Sequence, residues 1–146
     1  LNIVGDGRPQ AEELQRQAAD LPVTFTGYLS GEALVRAYEQ ADIFVFPSTT
    51  DTYGKVVLEA QAAGLAVVVS GQGGPRENVV PGKSGIIVRQ ETAEAYASAM
   101  LALASDPAML LGMKREARCY AESRSSEKAF AAQWKLIETL APQACW

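Results

Sequence analysis

Asp51 and Glu59 are separated by the seven residues Thr52-Tyr53-Gly54-Lys55-Val56-Val57-Leu58, and this stretch closely follows the apolar run Ile43–Phe46. If a helix opens near Tyr53, Asp51 stands at its mouth and Glu59 lies about a turn inside. Backbone amides at a helix start attract anions, and Gly54 has no side chain to keep an anion from the backbone around Tyr53-Gly54-Lys55. Carboxylates on either side would accept hydrogen bonds from hydroxyl groups. The constellation suits a ligand with an anionic middle and hydroxyls at both ends.

Each acid also has a plainer reading. The helix predicted from about Tyr53 to Ala63 is apolar almost all round (Val56, Val57, Leu58, Ala60, Ala62, Ala63), the mark of a buried helix, so Glu59 is out of place and must find donors. Its alternative partner is Lys55, but Lys before Glu is the weaker orientation and such pairs contribute about 0.2–0.5 kcal/mol. Asp51 near a helix start is equally a cap and dipole partner.

The other glycine loops are weaker signals. Gly71-Gln72-Gly73-Gly74-Pro75-Arg76-Glu77 fails as a dinucleotide fingerprint because Arg76 takes the third glycine position, and Gly5-Asp6-Gly7 fails with Gln10 there. Glu77 falls in a first helical turn, where its charge is favoured whatever it does, and Arg76 is either a solvated side chain or a phosphate contact. Tyr28, beside Gly27 and Leu29, could stack on a base or be an ordinary exposed aromatic.

The elements that must place these residues alternate. Strands are predicted at Leu1–Val4, Val23–Thr26, Ile43–Phe46, Ala66–Val69 and Gly85–Val88. Helices fall between them: one opened by Pro9, one from Ser30 to about Gln40 with Leu34, Val35 and Tyr38 facing the core, one stopped by Gly64, and a short one from Pro75 to Val80. After the last strand the chain is helical only, over about Thr92–Ala104, Pro107–Glu122 and Glu127–Leu140, the last with a packing stripe of Phe130, Trp134, Ile137 and Leu140. Alternation with continuously apolar strands means an α/β fold with a parallel sheet, and ligands bind beyond the carboxyl ends of such strands. Residues 1–146 are expected to form one domain, with 91–146 as its helical tail.

Composition narrows the function. The chain has 146 residues, 48% hydrophobic and 21% charged, enough for a full core and without a run of the roughly 18 apolar residues a membrane span requires. A net charge of −4 with dispersed Lys and Arg argues against nucleic acid as a partner. The count of histidines is 0, which excludes imidazole base catalysis within this chain. Cys119 and Cys145 lack metal spacing and suit a reduced, cytoplasmic protein. The first residue, Leu1, opens a strand-like run, so the chain reads as a fragment of a longer enzyme.

In their order along the chain, Leu1-Asn2-Ile3-Val4-Gly5-Asp6-Gly7, Phe25-Thr26-Gly27, Ala41–Ser48, Asp51–Ala60, Gly73-Gly74-Pro75-Arg76-Glu77 and Gly82-Lys83-Ser84-Gly85 resemble the C-terminal, donor-binding domain of group 1 glycosyltransferases (glycosyltransferase family 4). The resemblance implies half of a GT-B enzyme, with a Rossmann-like sheet, retaining transfer from a nucleoside-diphosphate sugar, and neither a metal nor another cofactor. It implies that Asp51 is catalytic and contacts the donor sugar, that Glu59 binds ribose, and that Thr52, Tyr53, Gly54 and Lys55 surround the phosphates. Gly27, Tyr28 and Leu29 would lie near the base, with Gly5, Gly7, Arg76 and Glu77 as secondary candidates. Asp51 departs from the family's usual Glu, and Tyr53 from a frequent Phe.

The resemblance further implies that the domain's first strand, with a basic pair, and an acceptor-binding N-terminal domain precede Leu1, so the sheet should break between Leu1–Val4 and Ile43–Phe46. The fragment alone is expected to be inactive. Acceptor choice, whether carbohydrate, lipid or small molecule, would belong to that other domain, which could also hold the enzyme at the inner face of a membrane. The alternative reading is a non-catalytic module binding a nucleotide sugar or sugar phosphate.

Overall fold

Each β-branched and aromatic run noted above becomes a strand in the computed structural model, which describes residues 1–7 and 10–124. The helix start expected at Pro9, the helix expected over Glu127–Leu140 with its packing stripe, and Cys145 lie outside the described residues. The chain forms two compact units, Leu1–Gln40 and the residues from Ala41 on.

In the first unit, β1 (Asn2–Val4) runs parallel to β2 (Thr24–Gly27), with Ile3 opposite Phe25 and a register slip that sets Val4 opposite Gly27. Helices α1 (Gln10–Gln17) and α2 (Gly31–Glu39) follow them. Two details of α2 differ from expectation. Ser30 occupies the cap position but its hydroxyl accepts no bond, because Gly31 enters the helix at φ +54° and the usual cap geometry is lost. Val35 is exposed, and Leu34, Ala37 and Tyr38 are the half-buried set instead.

In the second unit, β3 (Ile43–Phe46), β4 (Ala66–Ser70) and β5 (Gly85–Val88) form a parallel sheet with β4 in the middle. Every residue of β4 is buried, which is why its sequence carries no alternation. β1 and β3 belong to different sheets, one in each unit.

Helix α3 (Lys55–Ala62) packs on β4 and on α5 (Pro107–Ser123), while α4 (Ala93–Ser105) covers β5. Thr92 and Asp106 cap α4 and α5 through Ala95 N at 3.3 Å and Met109 N at 2.9 Å. The expected short helix after Gly74 is a single 3₁₀ turn, Pro75–Asn78. Ala66, Val68 and Val88 of the sheet meet Leu103 of α4 and Met113 of α5 in one core.

Leu103 is wholly buried in that core. Leu103→Ala should lower the unfolding free energy by about 2–5 kcal/mol, read from urea denaturation. A loss below about 1 kcal/mol would mean that the helical layer does not hold the sheet.

Candidate functional site

Parallel strands put the loops that follow β3, β4 and β5 at one end of the second unit. The first of these loops ends at Gly54, which takes φ +71° as the residue before α3. An added Cβ there would lie 2.7 Å from Pro75 Cα, so the glycine is required by backbone conformation and by its neighbour as well as by any ligand.

Asp51 closes the turn before α3: Oδ1 accepts from the amide of Tyr53 at 2.9 Å and from that of Gly54, while the Asp51 amide donates to Ser48 Oγ at 3.2 Å. Gly54's amide is therefore not free for a phosphate. Val57 N bonds back to Gly54 O at 3.0 Å, which leaves Lys55 and Val56 as the first-turn amides with no acceptor among the described residues.

Glu59 is half-buried and not enclosed. The helix expected to be buried all round hides one side only, through Val57, Ala60 and Gln61, with Ala62 and Ala63 exposed. Among the described residues the Glu59 carboxylate has neither a hydrogen bond nor an ion pair, so the pairing with Lys55 does not form. Three and four residues beyond Val56 and Lys55, Glu59 stands on the same helix face as the open amides.

The loop after β4 presses its backbone against the Asp51 turn. Gly74 N donates to Asp51 O at 2.9 Å, a Cβ on Gly74 would fall 2.0 Å from Thr52 O, and one on Gly73 would fall 2.9 Å from Asp51 O. Arg76 braces this loop by donating to Gly71 O at 2.8 Å. Glu77 keeps an exposed side chain, and its carbonyl accepts from Tyr120 at 3.1 Å. Thr52, Tyr53, Leu58, Gly74, Glu77 and Asn78, with Arg124, line a cleft of about 240 Å³.

The sequence reading missed two polar groups here. One is interior: Gln61, fully buried, donates to Asn78 O at 3.0 Å and Ser84 Oγ at 3.2 Å, while Asn78 Nδ2 donates to Tyr53 O. A glutamine in an apolar helix is the same kind of signal as Glu59, two positions further on.

The other is Glu91, after β5. It accepts from Ser70 Oγ at 2.8 Å, Gly71 N at 3.0 Å and Tyr96 Oη at 2.7 Å. The Tyr96 hydroxyl, then Ser70, hold the Glu91 carboxyl below its ordinary range, while desolvation first and Glu91 second push Tyr96 up to about 12.

The remaining candidates lie in the first unit, where the β1–β2 pairing brings two of them together through Gly5 N donating to Gly27 O at 2.9 Å. Gly7 O accepts from Ala11 N at 3.0 Å, Leu29 is half-buried, and Tyr28 is 78% exposed.

An α/β Rossmann-like arrangement thus places an acid-flanked helix start at the carboxyl end of its strands, where ligands of such sheets bind. The family described as glycosyl transferases group 1 matches residues 1–106, and the chain belongs to that family. Over 91 residues it is 41% identical to the sulfoquinovosyl transferase SQD2 of Arabidopsis thaliana, covering 60% of this chain and 18% of that protein. Sucrose-phosphate synthase from Thermosynechococcus elongatus superposes with a TM-score of 0.77 at 30% identity, covering 95% of this chain and 37% of the other. HepE of Anabaena, solved with UDP-glucose, shares the fold at a TM-score of 0.79 and 23% identity, covering 95% of this chain and 40% of the other. The chain thus spans well under half of the length of each.

Two outcomes follow from this geometry. Gly74→Ala must displace the Asp51 turn or unfold it, and should lower the melting temperature by several degrees; an unchanged melt would disprove the close approach. Glu91's folded pKa lies below its ordinary 4.5, so its stabilising effect is full above about pH 4.5 and is lost as pH falls through the folded value. Glu91→Gln should therefore melt earlier than wild type at pH 7, with the gap narrowing as pH falls below 4.5. A gap independent of pH would show that the carboxylate's charge is not what holds Ser70 and Gly71.

Proposed function

We propose that this chain is the donor-binding half of a retaining glycosyltransferase that moves a sugar from a nucleoside-diphosphate sugar to an acceptor. Family membership supports the reaction class. The observation that carries the site is Glu59: a half-buried carboxylate with no partner among the described residues, on the helix face where the Lys55 and Val56 amides open.

In this reading the ribose hydroxyls donate to Glu59 and supply the partner the protein does not. The donor phosphates meet the Lys55 and Val56 amides, where the positive end of α3 favours the charge that builds on the departing diphosphate. Asp51, already holding two amides through one oxygen, orients the sugar with the other. It is rigid for that purpose, since its backbone and its carboxylate are both bonded. Leaving-group stabilisation by fixed amides requires no metal, and the proposal includes none.

HepE's complexes with UDP and UDP-glucose belong to that protein and make uridine diphosphate a sensible first probe for this one. Glu59→Ala in the intact protein should weaken UDP or GDP binding by about ten- to a hundredfold, the effect of losing hydrogen bonds to a charged acceptor. Calorimetry reads this directly, and unchanged affinity would refute the assignment. Proton NMR of the transferred product should show the donor's own anomeric configuration, and an inverted product would remove the retaining mechanism.

A further inference from the structure

Asn78 sits in the 3₁₀ turn after Gly74, next to Glu77 in the sequence but far from Asp51 and Glu59, and is only 6% exposed. Its side chain donates to Tyr53 O, the carbonyl of the peptide whose amide belongs to Gly54. That amide donates to Asp51 Oδ1. A single peptide unit is thus bonded at both polar ends, to Asn78 on one side and to Asp51 on the other, and because the unit is planar the two bonds fix its rotation.

It is also the unit that leads into α3. Its orientation, with Gly54 at φ +71° and ψ +41°, decides where the Lys55 and Val56 amides point. Asn78 is held in turn: Gln61 donates to its carbonyl, and Gln61 also donates to Ser84 Oγ, which accepts from Val80 N at 2.9 Å. The Gln61 bonds to Asn78 O and Ser84 Oγ are buried, which makes them costly to break, since a freed polar group there has no water to turn to.

We infer that Asn78, anchored by Gln61 and Ser84, is a positioning residue that aims the start of α3 at the donor diphosphate. The inference rests on the reading of the donor site given above. It assigns Asn78 no contact with ligand, and so a specific signature: phosphate binding should suffer, base and ribose binding should not.

The test uses the intact protein with UDP, GDP and ADP by calorimetry, and with uridine, guanosine and adenosine by ligand-observed NMR titration. Asn78→Leu keeps the volume and removes the donor. It should weaken the preferred nucleoside diphosphate about tenfold, the equivalent of one buried hydrogen bond, while the matching nucleoside stays within about twofold. Should that variant not fold, Asn78→Ser, whose side chain is one heavy atom shorter, is compared in the same way.

Equal weakening of both ligands, or an unchanged diphosphate affinity, overturns the inference and leaves the donor site standing. Failure of the wild-type protein to bind any of the three diphosphates overturns the donor site and this inference together.

Discussion

Backbone against backbone is the contact on which the candidate site depends. The turn Thr49–Gly54 and the loop Gly73–Pro75 approach so closely that a side chain on Gly54, Gly73 or Gly74 would meet main-chain atoms at 2.0 to 2.9 Å. The hydrogen bond from Gly74 N to Asp51 O ties the two together. The contact couples the ends of neighbouring strands β3 and β4, so the position of α3 is set by the sheet and not only by its own sequence. Glycines in a ligand loop are usually explained by the ligand; here the protein's own main chain already demands them.

Around that contact the polar groups form two supports. On one side Glu91 gathers the end of β4 through Ser70, Gly71 and Tyr96, and Arg76 braces the same loop from its carbonyl side. On the other, Gln61 and Asn78 hold the entrance to α3 from the interior. Asp51 joins the supports, as its carbonyl takes Gly74 and its carboxylate takes the amides of Tyr53 and Gly54. Among the described residues, the Lys55 and Val56 amides and the carboxylate of Glu59 stay uncommitted. Such economy suits a site that must be rigid before a charged ligand arrives.

Much of the fold was legible because it rests on short-range pattern. Apolar runs such as Ile43–Phe46 and Ala66–Val69 can only be covered strands, and Asp106-Pro107 marks a helix start whatever surrounds it. Reading failed where backbone conformation or packing, and not spacing, gave the answer. Val35 fits a core-facing position by spacing but is 55% exposed, and Ser30 fits a cap but makes no bond because Gly31 turns left-handed. Glu59 and Gln61 are equally anomalous in an apolar helix, and only packing decides that Gln61 is the one fully buried and bonded across to Asn78 and Ser84.

The sequence by itself determined the alternation of elements, the family and the two acids with seven residues between them, because these are properties of residue types in order. Tertiary structure alone decided which glycines face another chain segment and which polar residues brace the site from within. Those outcomes depend on where segments twenty or more residues apart come to lie. That placement is set by the pairing of β3, β4 and β5 and by the packing of α3 against β4 and α5, and no local spacing encodes it.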